Sequence, residues 1–412
     1  MKKVVLVGAG VRARSMFAKP FVGELKPYVD FAGIYDVNPV RAGVLSEEFG
    51  GIPVFRDFAE MVEAVRPDTV VVASPDHTHH TYLIAGMEAG CDVISEKPMT
   101  IDADRCRAIM ETERRTGRRV TVTFNLRFMP YMARVKQLLR EGAIGHVHHV
   151  SMEWFLDRRH GADYFRRWHA RMENSGGLLV QKSTHHFDLV NWWLDSRPER
   201  VAATGTLSYY GPGRRERGER CLTCEHASGC EHYYDMTQNE MHTRYYLQAE
   251  HEDGYIRDRC VYGEHIDIYD TMNVSVRYAG GALFNYSLTA YSPYEGWRAS
   301  LTGSEGRMEI GGYKSGPRAK ADADEIRIVK PDGETVTHRI PVIQHGHGGG
   351  DERLRRMIFA GGTDDPLGQQ AGSLAGAYSL LIGAAANLSI ASGDAVPIDG
   401  LLSADGWEGG EG

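Results

Sequence analysis

A chain of 412 residues has room for two domains at about 150 residues each, and 42% hydrophobic with 25% charged residues is the balance of an ordinary soluble protein. The formal charge of -8 excludes a dominant nucleic-acid surface. Met1-Lys2-Lys3 leads into too short an apolar stretch for export, and residues 373–390 carry glycine, serine and asparagine, which reads as a packed helix rather than a membrane span. A cytoplasmic enzyme with neither nucleic-acid nor membrane partners is expected.

Residues 4–7 form a short β-branched strand, after which Gly8, Gly10 and Ala13 keep the GxGxxA spacing of a tight turn into a helix. Helix-terminal amides there bind anions, so Gly8, Gly10, Val11 and Arg12 are candidates for holding a dinucleotide diphosphate. A strand over 31–35 ends at Asp36, placed to accept from a ribose 2'-hydroxyl. A carboxylate disfavours a 2'-phosphate, which points to NAD over NADP, although Arg12 and Arg41 remain candidates for phosphate or adenine. The strand 68–73 opens into Ser74-Pro75-Asp76-His77-Thr78-His79-His80, where an open α/β sheet holds its ligand. Ser74, His77 and His79 are therefore cofactor candidates, with capping or packing against a helix over 81–89 as the other reading of the histidines; His80 reads as structural.

Strand 91–95 ends at Glu96-Lys97-Pro98. Proline has no backbone N–H and restricts the residue before it, so the Lys97 amine is presented from a fixed edge rather than a mobile loop. After a helix over 101–116 and a run over 120–123 comes Phe124-Asn125-Leu126-Arg127-Phe128. Asn125 is a candidate for the nicotinamide pocket, and Arg127 for substrate or for a domain-boundary ion pair.

The order GAGVRA, Asp36, SPDHTHH, EKP and NLRF resembles the Gfo/Idh/MocA oxidoreductases, the glucose-fructose oxidoreductase and inositol dehydrogenase family. The resemblance implies an α/β chain: a Rossmann NAD-binding domain over 1–124, then a substrate-binding and oligomerisation domain over 125–404 with a large, mostly antiparallel open sheet, and a loose tail over 405–412. It also implies a homodimer or homotetramer that oxidises or reduces a ring hydroxyl or ketone of a sugar, cyclitol or sugar derivative, with Glu96 at the cofactor and Lys97 as the active-site lysine. The family's second catalytic segment reads aspartate, three residues, histidine. Here Gln181 stands in the aspartate position and His185 in that of the histidine. Histidine suits proton transfer near neutrality, whereas glutamine binds a hydroxyl without accepting its proton. Lys182 enters the pocket only if the backbone turns; His186 and Asp188 are a second layer around His185, or Asp188 caps the helix that follows.

Trp154, Arg158, Arg166 and Trp168 offer flat faces and donors for a sugar, with core or subunit contact as the other reading. Cys221, Cys224, Cys230 and Cys260 suggest a structural zinc in an excursion over 211–265, with His226 and His232 in reserve and unligated thiols or an iron–sulfur site as the other readings. Residues 236–259 read as a substrate lid or an oligomer contact. Strands over 271–278, 283–289 and 297–302 follow. In His345-Gly346-His347-Gly348-Gly349-Gly350-Asp351, His347 is a substrate candidate. The segment also resembles one in superfamily members that cleave glycosides by transient NAD-dependent oxidation, which supplies an alternative with no net redox change; a non-catalytic NAD sensor, suggested by Gln181, is a third reading.

Overall fold

A computed structural model describes residues 1–319, 322–361 and 364–402; the loose tail expected over 405–412 lies outside them. The first sheet has six parallel strands in the order β3-β2-β1-β4-β5-β6: β1 Lys2–Val7, β2 Val29–Tyr35, β3 Val54–Phe55, β4 Thr69–Val72, β5 Asp92–Ser95 and β6 Val120–Val122. Every residue of Val4–Val7 and Thr69–Val72 is buried. Helices cover both faces of a parallel sheet, which is why these strands read as continuous apolar runs. The strand order reverses between β1 and β4, so their carboxyl ends flank the crevice in which such sheets hold ligands.

The second sheet has nine strands in the order β14-β13-β12-β11-β7-β10-β9-β8-β15. They are β7 Val147–Asp157, β8 Pro198–Thr206, β9 Thr271–Tyr278, β10 Leu283–Ser292, β11 Gly296–Gly303, β12 Gly306–Tyr313, β13 Ala323–Val329, β14 Thr335–Pro341 and β15 Val396–Pro397. The β7/β10 pair is parallel and its neighbours β11 and β9 are antiparallel. Burial alternates along the strands: Val150, Met152, Trp154 and Leu156 face inward on β7, and Phe284, Tyr286, Leu288 and Ala290 on β10. One face is therefore packed and the other, with Ser151, Glu153, Ser275 and Asn285, is open and polar.

The inner face is covered by the helices Thr184–Leu194 and Ser373–Ser392. The second is long and apolar enough to cross a membrane, yet Leu380, Leu381, Ile382, Ala385 and Ala386 are fully buried in the protein core. Gly383 permits that packing, since a Cβ there would lie 2.3 Å from the Leu179 carbonyl oxygen. The chain also returns to the first domain. Ala371 bridges Val122 at the edge of the six-stranded sheet, and Phe359 packs edge-on against Phe21 with ring centres 5.0 Å apart.

Candidate active site

At the end of β1 the chain turns at Gly8, whose φ of +92° favours glycine and where a Cβ would stand 2.7 Å from the backbone of Ala73 and Ser74. That close approach brings the turn against the loop after β4. Gly10 then leads into a continuous helical run over 11–22. Asp36, at the end of β2, accepts from the Ala9 amide at 2.6 Å and the Asn38 amide at 2.8 Å. Arg41 pairs with it at 3.2 Å and with Asp253 at 2.8 Å. Arg12 is likewise engaged, by Glu96 at 2.8 Å and Asp351 at 3.4 Å.

Lys97 follows β5, across a cis peptide bond to Pro98. Its Nζ donates to the Gln181 carbonyl oxygen at 2.8 Å, so the end of the first sheet and the second domain meet at this amine. Burial lowers the pKa of the ammonium, opposed by the charges of Asp76 and Glu96. Burial likewise raises the buried Asp76 carboxyl well above its usual range, against the pull of Lys97. His185 is 6% exposed, rests edge-on against Phe124 with ring centres 6.1 Å apart, and its Nδ1 has no protein partner. Burial first, and then the positive charges of Lys97 and Lys182, drive its pKa well below 6.5. The imidazole is therefore a neutral base at pH 7.

Asn125 is fully buried and donates through Nδ2 to Asp351 at 2.5 Å. Asp351 also receives His347 Nδ1 at 2.8 Å. His347 sits at φ 48° before two further left-handed residues, Gly348 and Gly349, and a Cβ on Gly350 would come within 2.3 Å of the Asn125 carbonyl oxygen. The glycines thus fold this segment directly over Asn125. Burial raises the Asp351 carboxyl, but His347, Arg12 and Asn125 outweigh it and hold the group well below the usual carboxylate range. Asn125 Oδ1 and Gln181 Oε1 are buried and unpartnered. Together with the close turn at Gly8, these orphaned acceptors fit a crevice that takes a dinucleotide and a polar substrate.

Residues 2–124 match the oxidoreductase family with an NAD-binding Rossmann fold, and residues 132–309 match the Gfo/Idh/MocA C-terminal domain. The chain belongs to the Gfo/Idh/MocA oxidoreductase family. YteT of Bacillus subtilis (strain 168), an oxidoreductase by name, is 37% identical over 407 residues, 93% of this chain and 94% of that protein. An inositol 2-dehydrogenase of Rubrobacter xylanophilus is 28% identical over 185 residues, 43% of this chain and 49% of that protein. A levoglucosan dehydrogenase solved with NADH and levoglucosan shares the fold, with a TM-score of 0.70 at 20% identity, over 96% of this chain and 99% of that one.

Within this Gfo/Idh/MocA framework, several of the candidate residues have partners in the protein itself. Glu96 is tied to Arg12. His79 is 1% exposed and its ring nitrogens lie 2.9 Å from the Pro98 and Ser74 carbonyl oxygens, so it clamps two loops together instead of facing a ligand. Ser74 is hydrogen-bonded to Thr78 at 2.7 Å; His77 Nδ1 has no partner. Arg127 is a buried bidentate partner of Asp188, at 2.6 and 2.8 Å, the ion pair that was the other reading of this arginine. Replacing Arg127 with methionine is expected to destabilise the fold by about 3–5 kcal/mol, because the Asp188 charge is left buried and unpaired; a urea midpoint unchanged from wild type would contradict this.

Residues 177–194 are helical on both sides of a short turn, so Gln181 and Lys182 do not alternate as in an extended segment. Lys182 lies with Nζ 5.6 Å from the Trp154 ring centre, and burial with the charges of Lys314 and Lys97 pushes its pKa down to about 7. Trp154 is stacked under His186, ring centres 3.7 Å apart, and belongs to the floor of the second sheet. His186 bonds the Tyr286 hydroxyl at 2.7 Å, not His185. Arg158 pairs with Glu231 at the surface, Arg166 donates to the His232 carbonyl at 3.1 Å under the cysteine segment, and Trp168 stacks on His169. None of these three reaches Lys97 through a direct contact.

The cysteine segment assembles no zinc site among the described residues. All six cysteines are free thiols, and among the described residues no three His, Cys, Asp or Glu side chains converge to hold a metal. Cys221 Sγ instead faces the Arg166 guanidinium at 3.5 Å.

Proposed function

We propose that the protein is an NAD-dependent dehydrogenase or ketoreductase acting on a ring hydroxyl or ketone of a sugar, cyclitol or sugar derivative. The observation that carries this reading is the meeting of a half-buried lysine, Lys97, with the Gln181–His185 segment, beside the orphaned acceptors of Asn125 and Gln181. NAD, when bound, supplies the hydride acceptor. His185, held neutral, takes the proton of the reacting hydroxyl. The Lys97 ammonium stabilises the oxygen as negative charge grows on it. The Gln181 carboxamide holds a neighbouring hydroxyl in register and has no part in the proton transfer. In the reverse direction the same groups deliver a proton to a ketone oxygen.

The inositol and levoglucosan dehydrogenases named above support a small polyhydroxylated substrate. A cytoplasmic homodimer or homotetramer completes the proposal. The deciding experiment incubates the protein with NAD and a panel of neutral and acidic sugars, following NADH absorbance and product mass. One ketone per NADH supports net oxidation; bond cleavage at constant total NADH overturns it.

NAD is the favoured nucleotide because Asp36 offers a carboxylate and Arg41 is already paired with Asp36 and Asp253. Asp36→Ser removes the charge that repels a 2'-phosphate and is expected to shift the NADP-to-NAD ratio of kcat/KM by about tenfold or more toward NADP. Steady-state rates with both nucleotides check it, and an unchanged ratio would count against Asp36 as the ribose contact.

A further inference from the structure

Within residues 236–259, expected to be a substrate lid or an oligomer contact, a strap over 236–257 packs on the dinucleotide-binding domain. Met236, Tyr245 and Tyr246 share one core with Val4, Leu6, Ala9, Met16 and Phe17. Asn38 Nδ2 donates to the Ala249 carbonyl at 2.8 Å, Arg41 Nε to the Tyr245 carbonyl at 3.2 Å, and the Tyr245 hydroxyl to Glu48 at 2.7 Å. The strap therefore crosses the carboxyl ends of β1 and β2, where the Gly8–Gly10 turn and Asp36 are found.

Tyr246 stands at the centre of this contact. Its hydroxyl accepts from the Val11 amide at 3.1 Å, at the start of the helical run that follows the glycines, and keeps its own proton free to donate. Two guanidiniums flank its ring, Arg41 at 5.6 Å and Arg257 at 5.0 Å from the ring centre. Every nitrogen of Arg41 has a partner, but those of Arg257 do not. The Arg257 side chain is 8% exposed; Nη2 donates to Asp163 at 3.2 Å, while Nε and Nη1 are buried without a partner. Arg167, on the other side of the same Asp163, also has an unpartnered Nε, and the Tyr255 hydroxyl on the strap is unpartnered too. Buried guanidinium donors are costly to leave unmatched. Their fork geometry matches phosphate oxygens.

We propose that the strap is the second wall of the diphosphate site: Arg257 donates to the phosphates of the dinucleotide, and Tyr246 extends the donor set of the helix start toward them. This rests on the dinucleotide reading of the first domain and adds two ligands from a segment outside that domain. It also encloses the nucleotide, so that release requires the strap to lift and the cofactor exchanges slowly between turnovers.

Calorimetric affinities for NAD, ADP and adenosine, with stopped-flow NADH release, test it on wild type, Arg257→Met, Arg257→Lys and Tyr246→Phe. Arg257→Met is expected to weaken NAD and ADP by about ten- to a hundredfold, to leave adenosine within about threefold and to speed NADH release in proportion. Arg257→Lys keeps a cation beside Asp163 and recovers part of the loss; Tyr246→Phe, which touches no ion pair, weakens NAD by about threefold to tenfold. If Arg257→Met does not fold, as read by circular dichroism, the other two variants carry the comparison. Wild-type affinity for NAD and ADP in the folded variants would overturn the proposal, as would an equal loss for adenosine. Absence of dinucleotide binding by wild type would overturn the reading it rests on as well.

Discussion

Lys97→Met is expected to lower kcat/KM by about a thousandfold while leaving the dissociation constant for NAD within a few fold. Methionine keeps the apolar stem and removes only the ammonium, so the loss isolates the charge and its hydrogen bond to the Gln181 carbonyl. The ammonium is held in a partly desolvated site between Asp76 and Glu96, where burial works against its charge and those carboxylates work for it. A cation kept at that cost has its largest effect where negative charge appears during reaction, because a low local dielectric magnifies the interaction. The comparison needs the substrate identified by the sugar panel, steady-state rates and a separate calorimetric NAD titration. Activity within tenfold of wild type would remove Lys97 from the reacting centre; a matching loss of NAD affinity would reassign it to cofactor binding.

The first domain was legible in the sequence because its signals are local. Val4–Val7 and Thr69–Val72 are buried on both faces and read as runs of β-branched residues broken only by Leu6, and each leads into a turn at the carboxyl edge of the sheet. Lys97 was legible for the same reason, standing between a strand and a proline. The second sheet was read only in part. On β7 the inward series Val150, Met152, Trp154 and Leu156 is masked by Phe155, which points outward and meets Tyr294, so the strand resembles an aromatic patch for sugar binding. The sequence left two readings open for each of Arg127, Arg158 and Arg166 because an arginine's partner is set by the fold: Asp188, Glu231 and the His232 carbonyl are all distant in sequence. The strap left no periodic trace either. Its aromatic and charged residues follow no strand or helix repeat, and Tyr246 meets Val11 from 235 residues away. The left-handed glycines Gly176 and Gly177 were the available sign that the Gln181 segment is entered through a turn and becomes helical.

His185→Asn is expected to slow hydroxyl oxidation by about a hundred- to ten-thousandfold, and its pH dependence separates a base from a residue that only packs. Burial and the neighbouring cations lower the His185 pKa well below 6.5, so the wild-type rate should hold as pH falls through 6.5 and its acid limb should lie below that value. In the variant that limb disappears, whereas a packing defect would scale the whole profile and keep its shape. Stability carries the same sign. The folded protein resists protonation that the unfolded chain accepts near 6.5, so the unfolded state binds more protons as pH falls below that value. The stability contributed by keeping His185 neutral is thus complete above the unfolded pKa and is lost as pH drops toward the folded one. His186 and His169 are lowered well below 6.5 by burial as well, so the slope is shared and the variant should lose only its portion. Urea unfolding at a series of pH values from neutrality downward, beside the pH–rate profile, reads both effects. A variant that keeps the acid limb would show that the proton leaves through another group, and Lys182, pushed down to about 7 over the Trp154 ring, is the side chain to test next.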